Sequence, residues 1–109
     1  MTDSPDAITV QELDGWRSAG RALTLLDVRE PWELEICRFP EALSIPLQTL
    51  PGRIGEVPAD RPVVVLCHHG MRSQQAVMWL RRNGVGNAVN LDGGIDAWAR
   101  EIEPEMGVY

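Results

Sequence analysis

No lysine occurs in this chain of 109 residues, so its ten basic side chains are all arginines. Against sixteen acidic residues they leave a net charge of −6, and that balance opposes binding to a nucleic-acid backbone. No apolar run approaches the ~20 residues of a membrane span, so no membrane partner is expected. No period of repeat length is present. The acidic start Met1-Thr2-Asp3-Ser4-Pro5-Asp6 lacks the apolar stretch of a secretory leader. With two cysteines, Cys37 and Cys67, and no export signal, the expected compartment is a reducing cytoplasm.

At this length, with 44% hydrophobic residues, the chain can bury one core. A single domain over 1–109 is predicted, with 1–6 and 103–109 as flexible tails. Ile8 to Val10 reads either as a short strand or as the entry to a helix that turns Leu13, Trp16 and Ala19 inward before Gly20 stops it. Leu23 to Leu26, ending at Asp27, is a buried strand. Pro31 suits a first helical turn, with Trp32, Leu34 and Ile36 on a short helix. Ala42 to Ile45 is a brief strand closed by Pro46, and Leu47, Leu50 and Ile54 suggest a helix interrupted by Pro51-Gly52. Val63 to Leu66 is β-branched or bulky throughout, as a strand buried on both faces requires. A helical period over Ala76, Val77 and Leu80 follows, ending near Asn83-Gly84. Ala88 to Leu91 is the last strand and Ile95 to Arg100 the last helix. Strands alternating with helices imply an α/β fold with a parallel sheet covered on both faces. The four tryptophans, at 16, 32, 79 and 98, fit helix faces and are expected in the core.

Between the Val-rich strand and the following helix stands Cys67-His68-His69-Gly70-Met71-Arg72-Ser73. Parallel sheets place ligand sites beyond the carboxyl ends of their strands, where helix N-termini converge. Unpaired amides at a helix start carry about half a positive charge. Gly70 lets the backbone curl so that successive amides face one spot, and Arg72 adds a planar cation suited to sulfonate or phosphate oxygens. Such a loop favours a sulfur anion at Cys67, and the thiolate is the nucleophilic form. Asp27, at the end of another strand, is expected either near this loop, bonding its backbone or an arginine, or capping a turn and neutralising Arg29. Adjacent residues such as His68 and His69 rarely converge on one tetrahedral ion, and no fourth ligand stands at a familiar spacing, so no metal is expected.

The loop motif resembles the active-site loop of the rhodanese family of sulfurtransferases. Leu25-Leu26-Asp27-Val28-Arg29-Glu30 resembles that family's Asp-Val-Arg-Glu segment, and Asp92-Gly93-Gly94-Ile95-Asp96-Ala97-Trp98 its Gly-Gly-x-x-Ala-Trp segment. The three matches stand in the family's order and run from about Leu23 to Trp98. Where relatives commonly carry Gly-His-Ile-Pro-Gly-Ala, this chain reads Cys37-Arg38-Phe39-Pro40-Glu41-Ala42. The resemblance implies a central parallel five-stranded sheet with helices on both faces.

It also implies transfer of a sulfane sulfur from a small anionic donor such as thiosulfate to a thiol or cyanide acceptor. Cys67 would carry the sulfur as a persulfide, without a cofactor. His68, His69, Gly70, Met71, Arg72 and Ser73 would form the binding loop, with Asp27 and Arg29 supporting it. Two other readings stand beside this one. A persulfide-carrier module serving one protein partner would use the same cysteine, and a phosphatase or arsenate reductase would use a similar loop. The latter carries Cys-x5-Arg, whereas four residues separate Cys67 from Arg72. Cys37 would either be silent or resolve a persulfide as a disulfide.

Overall fold

The apolar runs become strands of one sheet in the computed structural model, which describes residues 6–109. The elements in chain order are β1 (Ala7–Ile8), α1 (Val10–Ser18), β2 (Thr24–Asp27), α2 (Pro31–Leu34), β3 (Leu43–Ser44), α3 (Leu50–Arg53), β4 (Val63–Leu66), α4 (Met71–Arg82), β5 (Ala88–Leu91) and α5 (Gly94–Glu101). All strand pairs are parallel, in the order β1-β5-β4-β2-β3. The fold is therefore the predicted α/β type, with β4, which leads into Cys67, at its centre.

Alternation along the strands divides the core in two. Val63 and Val65 pack with Leu26, Ala76, Val77 and Leu80 on the face covered by α3 and α4. Val64 and Leu66 pack with Leu25, Leu13, Ile95 and Trp98 on the face covered by α1 and α5. Cys67 belongs to the first cluster and Cys37 to the second. The ambiguity at Ile8 to Val10 resolves as a strand followed by a helix: Thr9 Oγ1 accepts from the Glu12 amide at 3.0 Å while the Thr9 amide donates to Glu12 Oε1. That capping box starts α1.

Several expectations are corrected. Ala19 lies past the end of α1 and is exposed. Pro31 does open a helix, but α2 is one turn long, so Ile36 falls outside it and Trp32 is left 61% exposed. Trp98 is buried, and Trp16 and Trp79 are half-buried against the core. The stretch with Leu47, Leu50 and Ile54 forms α3 flanked by 3₁₀ turns at Leu47–Thr49 and Ile54–Glu56, because Pro51 and Gly52 do not sustain a longer helix. Asp6 is part of the sheet edge, its carbonyl accepting from the Asn90 amide at 2.8 Å; the rest of the expected N-terminal tail, 1–5, lies outside the described residues. Residues 103–109, expected as a flexible tail, instead make a 3₁₀ turn at Pro104–Met106 and bring Tyr109 against the Cys67 loop. No helix among the described residues is long and apolar enough to cross a membrane.

The approach of α5 to that loop depends on Gly94. Its φ is +63°, and a Cβ there would stand 2.4 Å from the His68 carbonyl oxygen and 2.5 Å from that of Cys67. These two carbonyls accept hydrogen bonds from the first amides of α5, Asp96 at 3.0 Å and Ile95 at 2.9 Å. Gly94→Ala therefore combines left-handed strain with a backbone collision. We expect a loss of roughly 2–5 kcal/mol in urea unfolding, and a loss below 1 kcal/mol would show that the loop yields without cost.

Candidate active site

Cys67 follows β4 directly and is 1% exposed. Its Sγ accepts from the Gly70 amide at 3.1 Å and the Ser73 amide at 3.4 Å, with Ser73 Oγ at 3.3 Å. The curl that brings these donors together needs Gly70 at φ +109°, as the sequence anticipated. The polar loop is shorter than predicted, however: α4 begins at Met71, so Arg72 and Ser73 lie in its first turn. Helix start and loop amides thus converge on one sulfur, an arrangement suited to stabilising a sulfur anion.

Ser73 is held by a partner that sequence reasoning missed. Its hydroxyl donates to Asn90 Oδ1, while Asn90 Nδ2 donates to the Gly70 carbonyl at 3.2 Å, which fixes the amide orientation. One hydroxyl proton faces two acceptors, Asn90 Oδ1 and Cys67 Sγ. The hydroxyl can therefore donate to an anionic sulfur or accept from a thiol. The available signal was a buried asparagine in the otherwise apolar strand Ala88-Val89-Asn90-Leu91.

Arg72 does not reach toward the pocket as a free cation. Its Nη1 and Nη2 donate to Glu33 Oε1 and Oε2 at 2.6 and 2.8 Å, a bidentate pair between α4 and α2. Tyr109 Oη also donates to Glu33 Oε2, at 2.7 Å. Behind that clamp lies Arg29, fully buried. Arg29 Nε and Nη2 bond the Asp27 carboxylate at 2.7–3.1 Å. Its remaining donors reach the Cys37 and Glu33 carbonyls and Tyr109 Oη. All five guanidinium N–H groups are used, which is how an arginine can be buried completely. Asp27 also accepts from the Arg29 amide at 3.0 Å, so it caps a turn as well as neutralising the cation. Asp27 and Arg29 connect to the loop side chains through Glu33 and Tyr109: Arg29 bonds the Glu33 carbonyl and Tyr109 Oη, and those residues meet Arg72 and His68.

Hydrogen bonds from Arg72 outweigh burial and hold the Glu33 carboxyl down at about 2. An unfolded glutamate titrates near 4.3. Because the folded value is depressed, the clamp favours the folded state above about pH 4.3 and loses that contribution as pH falls toward 2. With Arg72 partly in solvent, screening keeps the effect to roughly 1–3 kcal/mol. Thermal unfolding followed from pH 5 to 2 should fall more steeply for the native chain than for Glu33→Gln; parallel acid limbs would refute the clamp's role.

A shallow pocket of about 200 Å³ is lined by Cys67, His68, His69, Met71 and Arg72. Met71 is 80% exposed at its edge. His68 is stacked between His69 and Tyr109, each ring 3.9 Å away. Burial and the neighbouring His69 hold His68 below the ordinary histidine range, against the pull of Asp96. Asp96 from α5 joins the two imidazoles, a convergence the sequence did not reveal.

A buried thiol facing loop amides at the carboxyl end of a parallel sheet is an arrangement able to hold a sulfur anion. The sequence model of the rhodanese-like domain matches residues 9–101, and the chain belongs to that family. A sulfurtransferase of Allochromatium vinosum is 46% identical over 80 residues, 73% of this chain and 75% of that protein. The probable adenylyltransferase/sulfurtransferase MoeZ of Mycobacterium tuberculosis is 39% identical over 104 residues, 94% of this chain. The chain spans only 26% of that relative's length. A rhodanese-related protein of Thermoplasma volcanium superimposes with a TM-score of 0.81 at 35% identity, covering 90% of this chain and 94% of that one.

Proposed function

We propose that the protein moves a sulfane sulfur from donor to acceptor through a persulfide on Cys67. The observation that carries this reading is the pair of amide donors on Sγ, from Gly70 and Ser73, with the Ser73 hydroxyl 3.3 Å away and able to turn its proton to the sulfur. In the first step the Cys67 thiolate attacks the outer sulfur of a donor such as thiosulfate. A new S–S bond forms on Cys67, and the donor's S–S bond breaks with its electron pair leaving on sulfite. In the second step an acceptor thiolate or cyanide attacks the outer persulfide sulfur and releases the Cys67 thiolate. Fixed amides stabilise the sulfur anion at both ends of the cycle, as preorganised dipoles stabilise an oxyanion. Each step is a displacement at sulfur that needs no cofactor.

The Arg72–Glu33 pair favours a particular donor class. The two bonds occupy two of the five guanidinium N–H groups, but the Glu33 carboxylate offsets the positive charge that would draw a sulfonate, so a persulfide carried on another protein's cysteine suits the pocket better than thiosulfate does. The same pairing weighs against a phosphatase or arsenate reductase, whose chemistry needs a free arginine over the anion. Intact-mass measurement of the reduced protein after thiosulfate, and separately after a protein persulfide donor, tests the proposal. One added sulfur that cyanide removes is expected. No added sulfur from either donor would overturn sulfur transfer, and equally ready loading from thiosulfate would overturn the donor preference.

A further inference from the structure

The sulfur chemistry leaves unexplained the group beside it, His68, His69 and Asp96. His68 Nε2 and Asp96 Oδ1 are both buried and neither has a hydrogen-bond partner. They face each other across 3.9 Å, too far for a hydrogen bond. His69 Nε2 stands 3.8 Å from Asp96 Oδ2. One ligand atom from each of the three residues lies within 4.8 Å of the others. Two buried polar atoms left unpaired are costly, and two that point at one spot indicate a shared partner.

Bonds of about 2.0–2.2 Å to a tetrahedral ion separate neighbouring ligand atoms by roughly 3.4 Å. The two imidazole–carboxylate gaps, 3.9 and 3.8 Å, are therefore about half an ångström too open, and the widest pair, within 4.8 Å, is too open by up to about 1.4 Å. His69 is stacked on His68 at 3.9 Å and 26°, and its side chain, 63% exposed, has room to turn off that stack so that its Nε2 converges with the other two groups. The other two are already oriented: Asp96 Oδ2 accepts from Arg100 Nε at 2.9 Å, and the His68 ring lies parallel to Tyr109 at 3.9 Å. Such outer contacts are what hold metal-binding side chains in place.

We propose that His68 Nε2, His69 Nε2 and the Asp96 carboxylate bind one zinc-class divalent ion at the mouth of the Cys67 pocket. Two imidazoles and one carboxylate select a borderline transition ion such as Zn(II) or Co(II) over Mg(II) or Ca(II), which prefer all-oxygen sites. No redox change accompanies binding, since the imidazoles supply lone pairs and the carboxylate its charge. Both histidines also line the Cys67 pocket, so an ion held there would lie beside it.

The test uses the full chain without an affinity tag and with Cys67→Ser, so that the thiol itself cannot hold the metal. Zn(II) is titrated by calorimetry and Co(II) by visible absorption. One ion per chain is expected, with the d–d bands of a nitrogen- and oxygen-bound Co(II). Adding His69→Ala or Asp96→Asn should weaken binding at least tenfold, in keeping with the sensitivity of such sites. Because His69 is on the surface, its variant remains interpretable if Asp96→Asn disturbs folding. Absence of saturable binding in Cys67→Ser, or binding indifferent to His69→Ala, would overturn the site.

Discussion

Replacing Cys67 with serine will leave a folded protein that carries no sulfur. Serine is isosteric to within one atom, and the Gly70 and Ser73 amides that face the sulfur at 3.1 and 3.4 Å can face an alcohol oxygen. The backbone curl, set by Gly70 and by the α5 amides, does not depend on the sulfur. An alcohol is neither ionised near neutral pH nor able to form a persulfide, so transfer should drop to background. Intact mass after donor treatment, beside circular dichroism and a melting curve, separates the two effects. A Cys67→Ser chain that still gains a cyanide-labile sulfur would move the reaction to Cys37. The fold argues against that, because Cys37 packs with the cluster on the opposite face of the sheet from Cys67.

The largest stability effect is expected at Arg29. Arg29→Met keeps much of the buried volume but removes every donor to Asp27, whose side chain is also fully buried. An unpaired charge left in the interior typically costs about 3–5 kcal/mol. The Cys37 carbonyl and Tyr109 hydroxyl lose a partner as well, which loosens the segment that holds Glu33. Urea unfolding measures the loss, and the double variant Arg29→Met with Asp27→Asn checks its cause. Removing the stranded carboxylate should recover part of the stability, since the expense lies in the orphan charge rather than in the missing pair. A single-variant loss under 1 kcal/mol, or a double variant that is worse by the full sum, would contradict this account.

What the sequence disclosed and withheld follows from range. Val63 to Leu66 and Ala88 to Leu91 are strands because their own residues suit burial on both faces, and the structure places them at those limits. Gly70 was legible as a curl for the same local reason. That Arg72 braces the loop against a carboxylate was one of two readings open to it, but Glu33 as the partner was not legible: it is 39 residues away, and only the docking of α2 beside α4 joins them. Trp32 was misread because its outward position depends on α2 stopping after one turn, which a helical period over Trp32, Leu34 and Ile36 does not reveal. Asp96, in the first turn of α5, has the look of an ordinary complement to the helix dipole. Its meeting with His68 and His69 is set by Gly94, through a backbone contact that no side-chain pattern records. Asn90 was the missed opportunity, being a polar residue in a run where every neighbour is apolar.

The depth of the sulfur also constrains its visitors. Cys67 shows 1% of its surface, and one further sulfur extends it by only about 2.05 Å. The loop around it is tied to α5 through two carbonyls, which accept from the Ile95 and Asp96 amides. In the persulfide cycle proposed above, delivery would fall to an acceptor that brings a thiol on something slender enough to pass Met71 and His69. A free low-molecular-weight thiol or a cysteine at the tip of a projecting arm meets that requirement, and a cysteine set in a flat protein face does not.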